Sequence, residues 1–303
     1  MAHSTLRISD REIALSRPEK ELFPADHLTK RDVIDYYRAV ADVMIPHLAG
    51  RPLVMRRYPD GIDEDGFIQQ EASPHFPDWL TIAETPRRDG SGTVDHVVCG
   101  DVATLVYLAN QATVEFHPWL STIRDLERPD RLVIDIDPPQ GTGVATLRRV
   151  ARSLGDLYRS VGLTPFVQAT GGRGFHVVAA LDGSEDYEFV RELARDMADH
   201  LAEQDPDLLT TAPRKERRGD RIFLDVARNA YGQTSVAPYS LRSRPGAPVA
   251  TPLGWGELGR ATPDRYDPRR IRRRLARKAD PWAAISEHAS PPATARRRLD
   301  AAR

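Results

Sequence analysis

The chain has 303 residues, enough for one large domain or two modest ones, and its hydrophobic (40%) and charged (29%) fractions are those of a globular protein. No run approaches the roughly 18 apolar residues of a membrane span, and residues 1–7 lack the apolar core of a signal peptide. The sequence therefore predicts a cytoplasmic protein of bacterial or archaeal type. The single cysteine, Cys99, excludes an internal disulfide and a zinc site built from several cysteines.

The net charge of −1 hides an uneven distribution of charge. Residues 1–210 hold 22 Lys and Arg against 35 Asp and Glu, whereas residues 211–303 hold 21 against 9. A basic final third favours an anionic partner, nucleic acid above all. A solvated basic surface without a partner would have the same composition, so charge alone leaves both interpretations open.

The first clear helix follows Thr29, which is predicted to cap it with Asp32 as the acidic member of a capping box. Apolar residues recur at helical spacing over residues 37–48, and Gly50 ends the helix. Lys30 then lies in the first turn, where free N–H groups and the helix dipole favour a phosphate.

Lysine is rare in this chain, with 4 Lys against 39 Arg. Lys20 and Lys30 both fall within the first 30 residues. A lysine retained among so many arginines suits a compact charge for one phosphate oxygen, although chance placement gives the same pattern.

Further elements are predicted in chain order from periodicity and turn residues. They are a strand over 52–58, a helix over 101–111, a strand over 112–116, a strand starting at 131, a helix over 147–161, strands over 164–169 and 177–181, a helix over 187–201 and a strand over 221–226. Alternation of strands and helices predicts an α/β or α+β class with a mixed sheet. Residues after Ser243 are expected to form an extended arm, and residues 290–303 a loosely ordered basic tail.

The strand that starts at Arg131 ends in the sequence Asp-Ile-Asp-Pro-Pro. Side chains alternate along a strand, so Asp135 and Asp137 are expected on one face, roughly 6.6 Å apart. Two carboxylates at a strand end can hold a divalent metal, or they can simply cap a turn.

Asp225 ends a later strand, Arg-Ile-Phe-Leu-Asp, and is a candidate third carboxylate. Three carboxylates can hold two divalent ions about 3.5–4 Å apart for in-line phosphoryl transfer. Oxygen ligands favour magnesium or manganese over zinc. An ordinary aspartate at the end of a strand is the alternative.

Thr-Gly-Gly-Arg-Gly-Phe-His, over residues 170–176, is a glycine-rich turn between two predicted strands. Glycines let backbone N–H groups approach an anion, and Thr170, Arg173 and His176 add a hydroxyl, a guanidinium and an imidazole. The turn is neither a Walker A loop nor a Rossmann fingerprint, because a strand follows it. A glycine-rich hairpin without a ligand is the alternative.

Three further residues are weaker candidates on their own. Arg242 is a candidate triphosphate clamp or a surface arginine. His117 is a candidate ligand or a packed loop histidine. Phe67, in a polar loop, is a candidate for stacking on a base or a core residue.

Taken in order, these motifs resemble a known family. Asp-Ile-Asp-Pro-Pro, Thr-Gly-Gly-Arg-Gly-Phe-His and Ile-Phe-Leu-Asp followed by Ala-Pro-Tyr-Ser-Leu-Arg are similar to the polymerase domain of bacterial ATP-dependent DNA ligase D, in the archaeo-eukaryotic primase superfamily. The resemblance extends from Lys20 to Trp282. It implies a catalytic sheet like a recognition motif, packed with a second module of sheet and helix, in one domain over residues 1–289.

The resemblance implies roles for particular residues of this sequence. The metal-binding catalytic triad, with two Mn²⁺ or Mg²⁺ ions, is matched by Asp135, Asp137 and Asp225. Contacts to the nucleoside triphosphate are matched by Thr170, Arg173, His176, His117, Arg242 and Arg56. The pocket for the 5′-phosphate of a gap or break in DNA is matched by Lys20, Lys30 and Arg17. Template stacking is matched by Phe67.

Some positions depart from the family pattern. Thr170 replaces a usual serine and Arg173 a frequent lysine, and both keep a hydroxyl and a cation. Arg17 stands where asparagine is common, Ile68 where a second phenylalanine is frequent, and Gln70 where lysine is common.

The implied activity is template-directed addition of nucleotides, ribonucleotides included, at gaps or broken ends of DNA. The implied partners are DNA, nucleoside triphosphates, and the end-binding protein Ku with a DNA ligase, in a nucleoid-associated protein. The chain carries no Lys-x-Asp-Gly ligase motif, so it is a stand-alone polymerase or one domain of a larger protein. A non-catalytic module that binds DNA ends and a glycosyltransferase with a metal-binding D-x-D are the alternatives.

Overall fold

The computed structural model describes residues 5–302. Residues 1–4, which belong to the segment considered above as a signal peptide, and Arg303 lie outside the described residues. Its α-helices are α1 (Lys30–Leu48), α2 (Val102–Asn110), α3 (Val144–Ser160), α4 (Tyr187–Gln204), α5 (Pro268–Leu275) and α6 (Pro292–Ala302). None of the helices in residues 5–302 is both long enough and apolar enough to cross a membrane.

The strands are named in the same way, in chain order. They are β1 (Thr5–Ile8), β2 (Arg11–Ala14), β3 (Glu21–Phe23), β4 (Leu28–Thr29), β5 (Leu53–Arg57), β6 (Phe67–Gln69), β7 (Thr81–Pro86), β8 (Thr93–Val98), β9 (Thr113–Pro118), β10 (Arg131–Asp137), β11 (Phe166–Ala169), β12 (Phe175–Ala180), β13 (Leu209–Thr210), β14 (Ile222–Asp225) and β15 (Thr251–Leu253). The predicted strands and helices are thus confirmed, with ends that differ by no more than three residues.

The chain forms two compact units, each assembled from three segments. Unit 1 comprises Met1–Trp119, Val236–Ala250 and Tyr266–Ala279. Unit 2 comprises Leu120–Ser235, Thr251–Arg265 and Asp280–Arg303. The predicted domain of residues 1–289 therefore contains all of unit 1 and most of unit 2.

Unit 1 is built around α1, whose start matches the predicted capping box. The Thr29 side chain accepts a hydrogen bond from the Asp32 N–H, and the Asp32 carboxylate accepts one from the Thr29 N–H at 2.8 Å. One face of α1 is buried and packs on α2, and the strand order β6-β5-β9 forms the main sheet of the unit. Two hairpins, β1–β2 and β7–β8, are further antiparallel pairs of the same unit.

Unit 2 is built on a six-stranded mixed sheet with the order β13-β14-β10-β12-β11-β15. All of its neighbouring pairs are antiparallel except β13–β14. Helices α3 and α4 contact both the sheet and each other. The expected mixed α/β architecture is therefore confirmed, with β10, the strand that carries the paired aspartates, inside the sheet.

Strand β10 is held by Asn229, which lies in a short 3₁₀ helix directly after β14. The Asn229 Oδ1 accepts the Val133 N–H at 2.8 Å, and its Nδ2 donates to the Val133 carbonyl at 2.6 Å and to the Val226 carbonyl at 2.9 Å. Asn229 is fully buried. One side chain thus satisfies both main-chain groups of a buried strand residue and ties β14 to β10.

Two expectations about the C-terminal third differ from the structure. The expected loose tail is helical and packed over residues 292–302, because Leu299 and Ala295 of α6 are buried and Arg296 pairs with Asp196 of α4. The expected extended arm after Ser243 is instead part of a turn, which an isolated antiparallel bridge between Leu241 and Val249 closes, and both of these residues are buried. Both segments are rich in arginine or proline, so the sequence did not indicate which of their few apolar residues are buried in the folded chain.

Replacing Asn229 by alanine is expected to lower the free energy of unfolding by about 1–3 kcal/mol, because the Val133 N–H and carbonyl would be left buried without partners. Chemical denaturation measured by circular dichroism tests this value. Glu203→Ala, an exposed change on α4, is the control and is expected to leave the denaturation midpoint unchanged. An Asn229→Ala protein as stable as the wild type would contradict the role assigned to Asn229.

Candidate functional site

The two aspartates of β10 lie on one face of the unit 2 sheet, as predicted. They alternate with Ile134 and Ile136, which are fully buried. The side chains of Asp135 and Asp137 are 19% and 36% exposed. The Asp-Ile-Asp sequence thus presents two accessible carboxylates at the end of a buried strand.

Asp225 joins this face through the antiparallel register of β10 and β14. Asp135 lies directly opposite Asp225, and Asp137 lies opposite Phe223. Residues opposite each other in an antiparallel pair share a face, with Cβ atoms about 4.5–5.5 Å apart. One Asp225 carboxylate oxygen accepts the Ala227 N–H at 2.8 Å, which orients the side chain. The three predicted carboxylates are therefore neighbours on one sheet surface.

Two arginines compensate the charge of Asp137. Arg173 contacts its Oδ1 at 3.1 Å, and Arg218 lies 3.6 Å from its Oδ2. Arg218 is itself held by the carbonyls of Ala212 and Pro213, at 3.1 and 2.8 Å. Sequence analysis missed Arg218, because residues 214–221 contain four other basic residues and no local pattern distinguishes one arginine from the others.

The donor set fits a hard divalent cation in its chemistry. Asp135, Asp137 and Asp225 supply carboxylate oxygens, the ligands that Mg²⁺ and Mn²⁺ take in proteins. Within residues 5–302, however, no three acidic, histidine or cysteine side chains are already gathered closely enough to form a metal site. The contacts of Asp137 with arginines explain part of this arrangement, because its oxygens are directed to guanidinium groups.

His176 lies beside the first aspartate. It is in β12, directly opposite Asp135 of β10 in the antiparallel register. Its Nε2 lies 3.4 Å from an Asp135 oxygen, and its Nδ1 lies 3.3 Å from the Ser235 hydroxyl. The strand begins two residues earlier than predicted, so His176 is a strand residue and its ring is fixed by the sheet.

The glycine-rich turn between β11 and β12 packs tightly against β10. A Cβ atom on Gly174 would lie 1.8 Å from the Ile136 carbonyl oxygen, so only glycine fits there. The Thr170 hydroxyl donates to the Gly174 carbonyl at 2.8 Å, and the Gly171 N–H donates to the Pro263 carbonyl at 2.8 Å. Several polar groups of the turn are thus already hydrogen-bonded within unit 2, and anion binding by Thr170 remains a prediction.

A second cluster, in unit 1, surrounds the buried carboxylate of Glu115. Its Oε2 accepts from His117 Nε2 at 2.9 Å and lies 3.2 Å from Arg242 Nε. Its Oε1 accepts from the Ser243 N–H at 2.9 Å and the Ser243 hydroxyl at 2.6 Å, and lies 3.4 Å from Arg56. Three of the predicted nucleotide-binding residues therefore meet on one side chain that the sequence analysis did not select.

Glu115 is ionised despite its burial. Its side chain is only 1% exposed, and burial by itself would raise its pKa. The hydrogen bond from His117 and the charge of Arg242 outweigh burial and hold the pKa of Glu115 well below its usual range. A charged residue within the apolar strand Val-Glu-Phe was the one sequence signal that could have identified it.

Strand register and one buried tyrosine bring this cluster together. Glu115 and His117 are two residues apart on β9, and Arg56 of β5 lies directly opposite Glu115. The buried Tyr37 hydroxyl donates to the Val114 carbonyl at 2.6 Å and accepts the Leu241 N–H at 3.0 Å. These two hydrogen bonds of Tyr37 hold the segment that carries Arg242 against β9.

The predicted 5′-phosphate residues form a separate basic group in unit 1. Lys30 is the first residue of α1, is nearly buried, and donates to the Ser16 hydroxyl at 2.8 Å. Burial is the main cause that lowers the pKa of Lys30 from 10.5 to about 8. The charges of Arg17, Lys20 and Arg57 lower the pKa of Lys30 further. Lys30 therefore interacts electrostatically with both of the other predicted 5′-phosphate residues.

Lys20 and Phe67 complete the predicted DNA-binding residues. Lys20 forms an ion pair with Asp60. Phe67 is 47% exposed on the edge strand β6, next to Ile68, which is 64% exposed. The guanidinium of Arg57 lies over the Phe67 ring, 5.2 Å from its centroid. Phe67 is therefore a surface ring and not a core residue.

Comparisons with known proteins agree with these features. A family model described as the LigD primase-polymerase domain matches residues 29–282. The multifunctional non-homologous end joining DNA repair protein LigD of Mycobacterium tuberculosis is 35% identical over 260 residues, which are 82% of this chain and 34% of that protein. The bifunctional non-homologous end joining protein LigD of Bacillus subtilis is 32% identical over 241 residues, 79% of this chain and 38% of that protein.

A solved structure supports the same relationship at the level of the fold. The polymerase domain from Mycobacterium tuberculosis ligase D in complex with DNA aligns with a TM-score of 0.84 and 32% identity, over 92% of this chain and 99% of that one. The chain spans about a third of the length of the curated relatives it matches, 34% in the M. tuberculosis protein. By the extent of the family match and the identity to these relatives, the chain belongs to the LigD primase-polymerase family.

Proposed function

We propose that this protein is a template-directed nucleotidyltransferase that extends DNA at short gaps or broken ends and accepts ribonucleotides. The observation that carries the proposal is the strand register that puts Asp135 opposite Asp225 on the face shared with Asp137, in a chain of this family. Primer extension requires attack of a 3′-hydroxyl on the α-phosphorus of a nucleoside triphosphate. A new P–O bond forms, and pyrophosphate leaves.

The three aspartates would hold two Mn²⁺ or Mg²⁺ ions. When bound, such ions activate the attacking hydroxyl and neutralise the triphosphate and its leaving group. In unit 2, Arg173 already lies beside Asp137, so this cation is available to the triphosphate near the carboxylates. His176 and Thr170 would orient the phosphates from β12 and the glycine turn.

Unit 1 would supply cations to the nucleotide and to DNA. The guanidinium groups of Arg56 and Arg242 and the imidazole of His117 gather around Glu115, and this cluster of two cations and a hydrogen-bonding ring suits a triphosphate. Lys30, with Lys20 and Arg17 close enough to depress its pKa, suits a 5′-phosphate at the first turn of a helix. Phe67 would stack on a template base.

The biological setting is also part of the proposal. The curated relatives are named for non-homologous end joining, and a matched structure is in complex with DNA. We infer that this chain acts in end joining in the cytoplasm of a bacterial or archaeal cell, with Ku and a DNA ligase as partners. A glycosyltransferase is not favoured, because Asp225 and the lysine-containing basic group have no role in such an enzyme.

Asp135→Asn tests the catalytic assignment. Because the amide keeps the shape of the side chain but loses its charge, extension of a gapped duplex with Mn²⁺ is expected to fall by about 100-fold or more. Affinity for the same DNA, measured by fluorescence anisotropy, is expected to stay within about threefold. Asp156→Asn, an exposed aspartate of unit 2, is the matched control and should extend normally.

Two outcomes would contradict the proposal. Full extension by Asp135→Asn would remove the triad from catalysis. No extension by the wild-type protein, together with undiminished DNA binding, would leave a non-catalytic module that binds DNA ends.

The pKa of Lys30 predicts a pH dependence of DNA-end binding. Below pH 8 the ammonium group is present and can hold the 5′-phosphate, and as pH rises through about 8 the proton is lost. The preference for a 5′-phosphorylated over a 5′-hydroxyl gapped duplex is therefore expected to decline between pH 7 and 9, well below the usual lysine pKa of 10.5.

Lys30→Gln is expected to abolish this preference at every pH, whereas Lys278→Gln, an exposed lysine of the same chain, should leave it unchanged. Titration of both labelled duplexes at several pH values provides the measurement. A preference that persists in Lys30→Gln would assign the 5′-phosphate to other residues.

A further inference from the structure

We propose that Glu115 is a positioning residue of the nucleotide site, which orients His117 and Arg242 for the triphosphate without contacting substrate itself. This inference rests on the proposed nucleotidyltransferase function. Nothing in the family resemblance assigned a role to this carboxylate. The inference rests on the contacts of both carboxylate oxygens. One oxygen contacts His117 and Arg242, and the other contacts Arg56 and the residue after Arg242.

The first consequence concerns the proton on His117. An ionised carboxylate can only accept hydrogen bonds, so the His117 Nε2, 2.9 Å from Glu115, must carry a hydrogen. The ring is thus held with Nε2 directed to the carboxylate and Nδ1 on its other side. A fixed ring orientation lowers the entropy that would be lost when the imidazole binds a phosphate oxygen.

The second consequence concerns Arg242 and its backbone. Glu115 Oε2 lies 3.2 Å from the Nε of Arg242, and Oε1 accepts both the N–H and the hydroxyl of Ser243. The Tyr58 hydroxyl donates to the Ser243 hydroxyl at 2.8 Å and extends the network. One carboxylate therefore holds the guanidinium through its side chain and through the next residue of the backbone.

The third consequence separates positioning from simple charge. Replacing Glu115 by glutamine removes a negative charge from the cluster. If only charge mattered, the anionic nucleotide would bind more tightly, because one repulsive charge would be gone. Positioning predicts the opposite result. A glutamine has only one amide oxygen, so its NH₂ group must face either His117 and Arg242 or the donors that now contact Oε1. A donor then faces donors, and the hydrogen bonds on that side are lost.

Steady-state extension of a gapped duplex with ATP and Mn²⁺ distinguishes the two. For Glu115→Gln the KM for ATP is expected to rise about tenfold or more, with a smaller change in kcat, because phosphate contacts lose their alignment. Glu115→Asp, which keeps the charge, is expected to recover part of the loss. Ser243→Ala removes one partner of Oε1 and leaves Oε2 intact, so its KM should change less than about threefold.

Nitrogen-15 NMR of the imidazole gives a readout that a purely structural role would not move. In the wild type the His117 ring is expected to be protonated at Nε2, and its signals are assigned by their loss in His117→Gln. In Glu115→Gln the neutral ring is expected to shift toward the Nδ1–H tautomer. An unchanged tautomer, or an unchanged or lower KM for ATP, would overturn the inference.

The failure of this inference can be told apart from the failure of the proposed function. If the wild type does not extend primers, the proposed function fails, and the NMR comparison still tests whether Glu115 orients His117. Binding of the 5′-phosphorylated duplex, which uses Lys30, reports whether unit 1 of each variant is folded. If Glu115→Gln loses that binding, Glu115→Asp decides. A KM raised by less than about tenfold, with the wild-type tautomer, supports positioning by the charge, and a KM raised by about tenfold or more contradicts it.

Discussion

The antiparallel register of β10 with its two neighbours is the constraint on which the unit 2 site depends. That register sets Asp135 between His176 of β12 and Asp225 of β14. Because side chains alternate faces, a slip of one residue in either pairing would move a carboxylate or the imidazole to the opposite face. Asn229 and Gly174 oppose such a slip, the first by hydrogen bonds to Val133 and the second by close contact with β10.

The unit 1 site depends on a different interaction, in which one carboxylate compensates the charges of two arginines. The guanidinium groups of Arg56 and Arg242 would repel one another or be solvated separately on an open surface. A buried, ionised Glu115 supplies the opposite charge, and strand pairing together with the Tyr37 bridge supplies the geometry. Removing one member of such a buried network leaves the others uncompensated, so its effects are expected to be non-additive.

The two units carry different sets of charged groups. Unit 2 presents three carboxylates of the type that bind divalent cations, with Arg173 and Arg218 compensating one of them. Unit 1 presents cations, and burial lowers the pKa of one of them, Lys30, to about 8. The proposed ligands would therefore replace existing charge partners in each unit, and this exchange can be tested by pH and by substitutions that neutralise a charge.

Features that rest on local geometry could be predicted from the order of the residues alone. Alternation along a strand was sufficient to put Asp135 and Asp137 on one face, and helix-capping chemistry was sufficient to start α1 at Lys30. The order of the motifs was sufficient to identify the family. These patterns act over a few residues, so they can be read before any fold is known.

Contacts between distant parts of the chain could not be predicted in this way and emerge only when the chain is packed. Ser243 bonds to Glu115 across 128 positions, and no local period reports such a pairing. The same holds for Arg218 beside Asp137 and for α6, whose arginine-rich sequence conceals the buried Leu299. The physical reason is that burial and charge compensation belong to the packed chain, and a single residue's neighbours in sequence do not specify them.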